Sequence, residues 1–236
     1  MRSPLGHIAV VIPSRNEEQL LPLCLESVAG ATAFLASHRP LIKVSITVVL
    51  DRTTDTSARL VDCHPAARSV VCDAGSVGAA RDLGIRTVLA EAAEAGQDEA
   101  AVWIANTDAD STVPRGWLLT QAGLADEEWD VVVGKVQPDP NDLSDSQRAL
   151  WFATHTLADG HGHIHGANLG FRAGAYAALG GFRHQPVHED RDFVHAARTA
   201  GLRVLATDAC RVTTSGRTES RVRGGFADFL ANRQVS

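Results

Sequence analysis

Short runs of β-branched residues alternate with longer alanine- and leucine-rich stretches over the first two-thirds of this 236-residue chain, and that order leaves few folds open. Residues 7–12 read as a strand. Leu21, Leu25 and Val28 then share one face of a helix, with Pro22 either in its first turn or at a kink. Residues 44–50, 69–72, 101–105 and 129–136 read as further strands. Helices are expected between them over 56–61, over 76–95 with Gly96 closing it, and over 114–125 with Pro114 opening it. Such an order predicts an α/β fold: a mostly parallel sheet with helices on both faces. The pattern changes after about Pro138, where 141–157 reads as helix, 159–166 is rich in glycine and histidine, 167–172 reads as strand and 190–200 as helix. No repeat, low-complexity tract or linker divides the chain, so residues 1–236 are expected to form one domain.

Composition narrows the function classes. Hydrophobic residues at 44% and charged residues at 21% are those of a soluble globular protein. No apolar run reaches the length of a membrane span, and residues 8–12 are too short a run for a signal peptide, so the cytoplasm is the expected compartment. A net charge of −6 argues against a nucleic-acid partner. Arginines nevertheless gather at 211, 217, 221 and 223, which reads either as a patch for an anion such as a diphosphate or as a solvated surface helix. Cys24, Cys63, Cys72 and Cys210 have no CxxC spacing, so neither a zinc knuckle nor a redox pair is indicated.

In sheets of this kind ligands bind at the carboxyl ends of the strands. Three polar clusters stand there: Pro13-Ser14-Arg15-Asn16-Glu17, Asp51-Arg52-Thr53-Thr54-Asp55 and Asn106-Thr107-Asp108-Ala109-Asp110. Asp108 and Asp110 form a DxD that can offer oxygens to a divalent cation, with phosphate oxygens filling other positions; alternatively they are two solvated acids in a loop. Glu189-Asp190 reads as a pair favoured by a helix dipole, or as catalytic acids. His161, His163 and His165 would share a face if extended, suiting acceptor contacts, a metal or simply a polar loop. Thr213-Thr214-Ser215-Gly216-Arg217, with Arg221, Gly224 and Gly225, forms a polar segment that could cover a diphosphate or be a surface turn.

Taken in order, these segments resemble family 2 glycosyltransferases over nearly the whole chain. Ile12-Pro13-Ser14-Arg15-Asn16-Glu17-Glu18 is similar to that family's opening strand and loop, and Val48 to Thr56 to its second strand and acidic loop. Gly78-Ala79-Ala80-Arg81-Asp82-Leu83-Gly84-Ile85 resembles its Gly-x-x-x-Arg-Asn-x-Gly-Ile helix. Gly166-Ala167-Asn168-Leu169-Gly170-Phe171-Arg172, running on to Gly180-Gly181-Phe182, resembles its acceptor-side segment, and Glu189-Asp190 its catalytic pair. The resemblance implies a GT-A, Rossmann-like fold with a nucleotide-sugar part over about 1–136 and a smaller acceptor-side and catalytic region over about 137–236.

It also implies roles. Pro13, Arg15, Asn16, Glu17, Asp51, Arg81, Asp108, Ala109, Asp110 and Arg217 would hold a nucleoside-diphosphate sugar, with Mn2+ or Mg2+ on Asp108 and Asp110. His165, Gly166, Ala167, Asn168 and Glu189 would face an acceptor hydroxyl. Asp190 would be the general base of an inverting transfer. Such a chain has no integral membrane segment, and a homodimer is compatible with it. Two positions depart from the pattern: Leu50 stands where many members carry a first aspartate, and Asp82 replaces an asparagine, which is expected to alter contacts near the base. No histidine follows His195, so waters or another carboxylate would complete the metal shell. The competing readings are retaining transfer, a nucleotidyltransferase, and a sugar-nucleotide-binding protein without turnover. The nucleotidyltransferase would need a glycine-rich loop that residues 12–20 lack.

Overall fold

The computed structural model describes residues 3–154, 158–183, 185 and 187–217. Its strands are β1 (His7–Ser14), β2 (Lys43–Asp51), β3 (Ala67–Cys72), β4 (Val102–Asn106), β5 (Ser111–Thr112), β6 (Val131–Pro138), β7 (Leu169–Arg172) and β8 (Val204–Thr214). Its helices are α1 (Leu21–His38), α2 (Ser57–Asp62), α3 (Val77–Glu94), α4 (Trp117–Asp126), α5 (Asp145–Thr154), α6 (Ala173–Ala178) and α7 (Glu189–Thr199). All eight strands join one sheet in the order β3-β2-β1-β4-β7-β6-β8-β5.

Alternation along the strands splits the core into two layers, as period-two side chains require. Ile8, Val10 and Ile12 of β1 pack with Leu21, Leu25 and Val28 of α1 and with Trp117 and Leu118 of α4. Ala9 and Val11 point the other way, toward Ile85 and Val88 of α3 and Phe193 and Val194 of α7. β1 is buried on both faces, which is why it reads as an unbroken apolar run. Pro22 falls in the first turn of α1, where its missing N–H costs nothing, and Ser76 caps α3 by accepting from Ala79 N at 3.3 Å.

The expectation of a mostly parallel sheet needs correction: it is mixed. β1 runs parallel to β2 and β4, β2 to β3, and β6 to β8, but β7 lies antiparallel between β4 and β6, and β5 antiparallel to β8. β7 returns from the long excursion after β6, and nothing local in Leu169 to Arg172 encodes strand direction. The region after β6 therefore extends the sheet through β7 and β8 rather than forming a layer of its own. β8 had no clear reading in the sequence because Thr207, Asp208 and Arg211 interrupt its apolar residues. The expected helix over 141–157 begins later, at Asp145, after a short 3-10 turn at Pro140–Asp142; residues 155–157 lie outside the described residues.

Asn168 clamps the junction of β6, β7 and β8. Its Nδ2 donates to the carbonyls of Lys135 and Cys210, both at 2.8 Å, and its Oδ1 accepts from Trp117 Nε1 at 2.9 Å. Asn168→Ala would strand three buried polar groups, each costing about 1–3 kcal/mol when left unpaired. Chemical denaturation should therefore show a loss on the order of 3 kcal/mol, with no change in the two-state slope.

Candidate active site

The polar clusters at the ends of β1, β2 and β4 converge, and buried arginines hold them together. Arg81 leaves α3 only 3% exposed, because Gly84 and Ile85 further along the helix bring it flat against the sheet. Its Nη1 donates to Glu189 Oε1 at 2.5 Å and its Nη2 to Asp108 Oδ1, so one guanidinium ties the end of β4 to the start of α7. Two glycines make the room. A Cβ at Gly78 would come within 2.7 Å of Glu189 Cγ, and one at Gly166 would overlap the Arg81 guanidinium. Burial opposes the charge on Arg81, but Asp108, Glu189 and Asp190 outweigh it and raise its pKa. Burial also pushes Glu189 above the usual carboxylate range, against the pull of Arg81 and with the push of Asp190.

Asp190 follows Glu189 in the first turn of α7 but points elsewhere. Its Oδ2 accepts from Gly166 N at 2.8 Å and its Oδ1 from Arg191 N at 2.7 Å, and the residue is only half-buried. The turn into α7 places His188 in the left-handed region at φ 71°. Asn16 at φ 53° and Arg52 at φ 51° adopt the same uncommon conformation just past β1 and β2.

Asp110, on the far side of the DxD, meets the end of β8. Arg217 bridges Asp110 Oδ2 at 2.8 Å and Glu17 at 2.8 and 3.0 Å, while Thr214 Oγ1 donates to Asp110 Oδ1 at 3.2 Å. Burial, with Asp108 and Glu17 adding negative charge against Arg217, pushes Asp110 up to about 6. Asn16 Oδ1 accepts from Thr54 N at 2.8 Å, and Asp51 Oδ1 from Gly75 N at 3.0 Å, which joins the loops after β1, β2 and β3. A cleft of about 520 Å3 opens beside these groups, lined by Asn16, Glu17, Thr54, Asp55, Asp142 and Arg217 among others. That size suits a small ligand.

The predicted residues are thus gathered, but not all at the surface. Asp51, Glu17, Asp108, Asp110 and Arg217 face one end of the sheet, with Arg15 exposed at the rim and Pro13 buried in β1. Arg81 sits beneath that surface with its guanidinium taken by carboxylates. Ala109, Ala167 and Asn168 are buried too, at 2%, 5% and 1% exposure, while Gly166, which follows His165, donates its N–H to the carboxylate of Asp190. Asp82, expected to alter contacts near a base, accepts from Tyr176 Oη at 2.6 Å and Arg86 Nε at 2.7 Å. Leu50 is in the core at 1% exposure, so the position before Asp51 offers no carboxylate. The arginine patch also divides, Arg211 pairing with Asp208 and Arg217 with Glu17 and Asp110; Arg221, Arg223, Gly224 and Gly225 lie outside the described residues. Sequence reading missed the Arg81–Glu189 pair, although both residues were singled out, because 108 positions separate them.

Residues 9–180 match the model of the glycosyl transferase family 2. The chain belongs to this family. No curated protein sequence matches it. Among solved structures it is similar to S. aureus TarS 1-349 in complex with UDP-GlcNAc, with a TM-score of 0.65 and 16% identity over 93% of this chain and 61% of that one. It is also similar to the mannosyltransferase PcManGT from Pyrobaculum calidifontis in complex with GDP-Man and Mn2+, with a TM-score of 0.62 and 21% identity over 99% and 63%. A third is mannosyl-3-phosphoglycerate synthase from Rubrobacter xylanophilus, with a TM-score of 0.61 and 15% identity over 97% and 72%. The chain spans about three-fifths of the length of the first two. These likenesses show the GT-A fold, a central sheet flanked by helices. No described helix is long and apolar enough to cross a membrane.

Among the described residues no three His, Cys, Asp or Glu side chains converge to hold a metal by themselves. The two aspartates of the DxD still fit a hard divalent cation, which commonly takes one or two carboxylates and completes its shell with water and phosphate oxygens. The crowding that raises Asp110 is the observation that favours one, since a cation there would neutralise charge that Arg217 alone leaves uncompensated.

Arg81→Met would leave Glu189 and Asp108 facing each other without their cation. Breaking a buried pair costs about 3–5 kcal/mol. Urea unfolding should show a loss of that size, and the Arg81→Met/Glu189→Gln double variant should recover part of it.

Proposed function

We propose that the chain transfers a sugar from a nucleoside-diphosphate sugar to an acceptor hydroxyl with inversion, Asp190 acting as general base. One observation carries this reading: the Arg81 guanidinium links Asp108, on the donor side, to the α7 turn that presents Asp190. Base and donor-binding acid are held by one rigid contact, so their separation does not depend on flexible loops.

Inversion requires the acceptor oxygen to attack the anomeric carbon as the bond to the diphosphate breaks, with the hydroxyl proton passing to a base. Asp190 suits this role. Its carboxylate is oriented by two main-chain N–H groups and is partly exposed, leaving lone pairs for an acceptor hydroxyl. Glu189 is committed to Arg81 and positions rather than reacts. On the donor side, Asn16 and Glu17 border the cleft in which the nucleoside would lie, and Asp51 ends β2 with the buried Leu50 before it. Arg217 can pass from Asp110 to a phosphate, keeping its charge balanced in both states.

Asp108 and Asp110 would hold Mn2+ or Mg2+, which supplies charge neutralisation for the departing diphosphate. The surplus of carboxylate around Asp110 supports that dependence, because a diphosphate would otherwise enter a field of its own sign. Neighbouring structures solved with UDP-GlcNAc and with GDP-Man and Mn2+ are consistent with this class of donor.

A melting-temperature panel of nucleoside diphosphates and their sugars, with and without manganese, tests the reading. Stabilisation by one nucleotide is expected only with metal and should vanish in Asp110→Asn. Asp190→Asn should keep that shift while turnover falls by about 100-fold or more. The anomeric proton of the product, read by NMR, should report inversion. Absence of any metal-dependent shift across the panel would overturn the proposal.

A further inference from the structure

β6 carries a lysine where its alternation calls for an apolar residue. Val131 and Val133 belong to the core layer beneath α3 and α7, and Lys135 is next in the same period. It is 2% exposed, and among the described residues its Nζ has no hydrogen-bond partner. An unpaired buried ammonium is among the costliest groups a fold can keep.

The nearby carboxylates do not satisfy it. Asp208 accepts from Arg211 Nε at 2.8 Å and also from Arg211 Nη2. Asp159 accepts from Thr207 Oγ1 and Asp208 N, both at 2.8 Å. Burial lowers the pKa of Lys135, with Asp208 opposing and Arg211 adding to the shift. The backbone is shaped around this point: Gly134 pairs with Thr207 but Val136 with Val212, so residues 208–211 bulge from β8 opposite Lys135.

The histidine segment runs over the same stretch of β8. Gly160 N donates to Ala206 O at 2.9 Å, and the His161 ring lies 3.3 Å from Thr207 O. His161, His163 and His165 stand in a row with centroids 6.1 and 6.3 Å apart. Burial and then the charge of Lys135 hold the His163 pKa below its usual value. This segment ends at Gly166, whose N–H orients Asp190, so a few residues of chain connect the lysine's surroundings to the base.

We propose that Lys135, beneath the segment that carries His161 and His163, forms an anion subsite on the acceptor side, so that the acceptor hydroxyl activated by Asp190 belongs to a molecule bearing a carboxylate or a phosphate. The inference rests on the transfer reading above. An ammonium with three unused N–H donors matches an oxyanion in charge and in donor geometry. The glycines at 160 and 162 let the covering segment move aside for the ligand.

Inorganic phosphate and acetate, titrated separately into the full chain without metal and followed by the imidazole 1H–15N signals, test the subsite with no acceptor in hand. His161 and His163 should shift saturably, and whichever anion saturates at lower concentration names the group. Lys135→Met should weaken that response at least about tenfold, and Lys135→Arg should retain it. Lys135→Met should also melt higher than the wild type, as expected when a buried charge kept for binding is replaced by an apolar chain. Its manganese-dependent response to nucleotide should be unchanged, which separates failure here from failure of the transfer reading. No saturable shift in the wild type, an equal shift in Lys135→Met, or a lower melting temperature for Lys135→Met would each overturn the proposal.

Discussion

The guanidinium of Arg81 is the contact on which the site depends. It is buried in α3 and joins two carboxylates from distant parts of the chain, Asp108 after β4 and Glu189 at the start of α7. Glu189 is 3% exposed and burial already pushes its pKa up, so its charge leans on that guanidinium. Gly166 leaves the space the guanidinium needs and Gly78 the space for Glu189, so the small residues of two sequence motifs are explained by one ion pair. The turn into α7 and the loop after β4 are therefore tied together. On the proposed reading their neighbours, Asp190 and Asp110, are the groups left to act.

A second constraint is electrostatic. Glu17, Asp108 and Asp110 crowd together, with Arg217 on Glu17 and Asp110 and Arg81 on Asp108, and the raised pKa of Asp110 records the remaining imbalance. Backbone strain is stored in the same region: Asn16, Arg52 and His188 all adopt left-handed conformations, two after strands and one before α7. Both features cost stability in the unliganded protein. Both fit the proposed entry of a cation and a diphosphate.

On the acceptor side, the break in register between β6 and β8 has the same character. A regular ladder would not have bulged residues 208–211 outward, and an apolar residue would fill the buried place of Lys135 without an unpaired charge. Ladder regularity and core packing are both given up close to the segment that orients Asp190.

The sequence by itself determined the strand–helix order from β1 to α4, the burial of β1 and α1, and the candidate acids at strand ends, because those signals are local periodicities and short motifs. Pro22 and Ser76 marked helix starts that the structure retains. Tertiary structure alone decided the direction of β7, the existence of β8 and the partners of Arg81, since each depends on residues far apart in the chain. It also brought Asp82 into a bond with Tyr176, and sank Asn168 into a clamp between strands. A motif names the residue types that chemistry requires. Which face of a helix each one occupies, and what charge lies across from it, is settled only when the sheet has closed the distance between them.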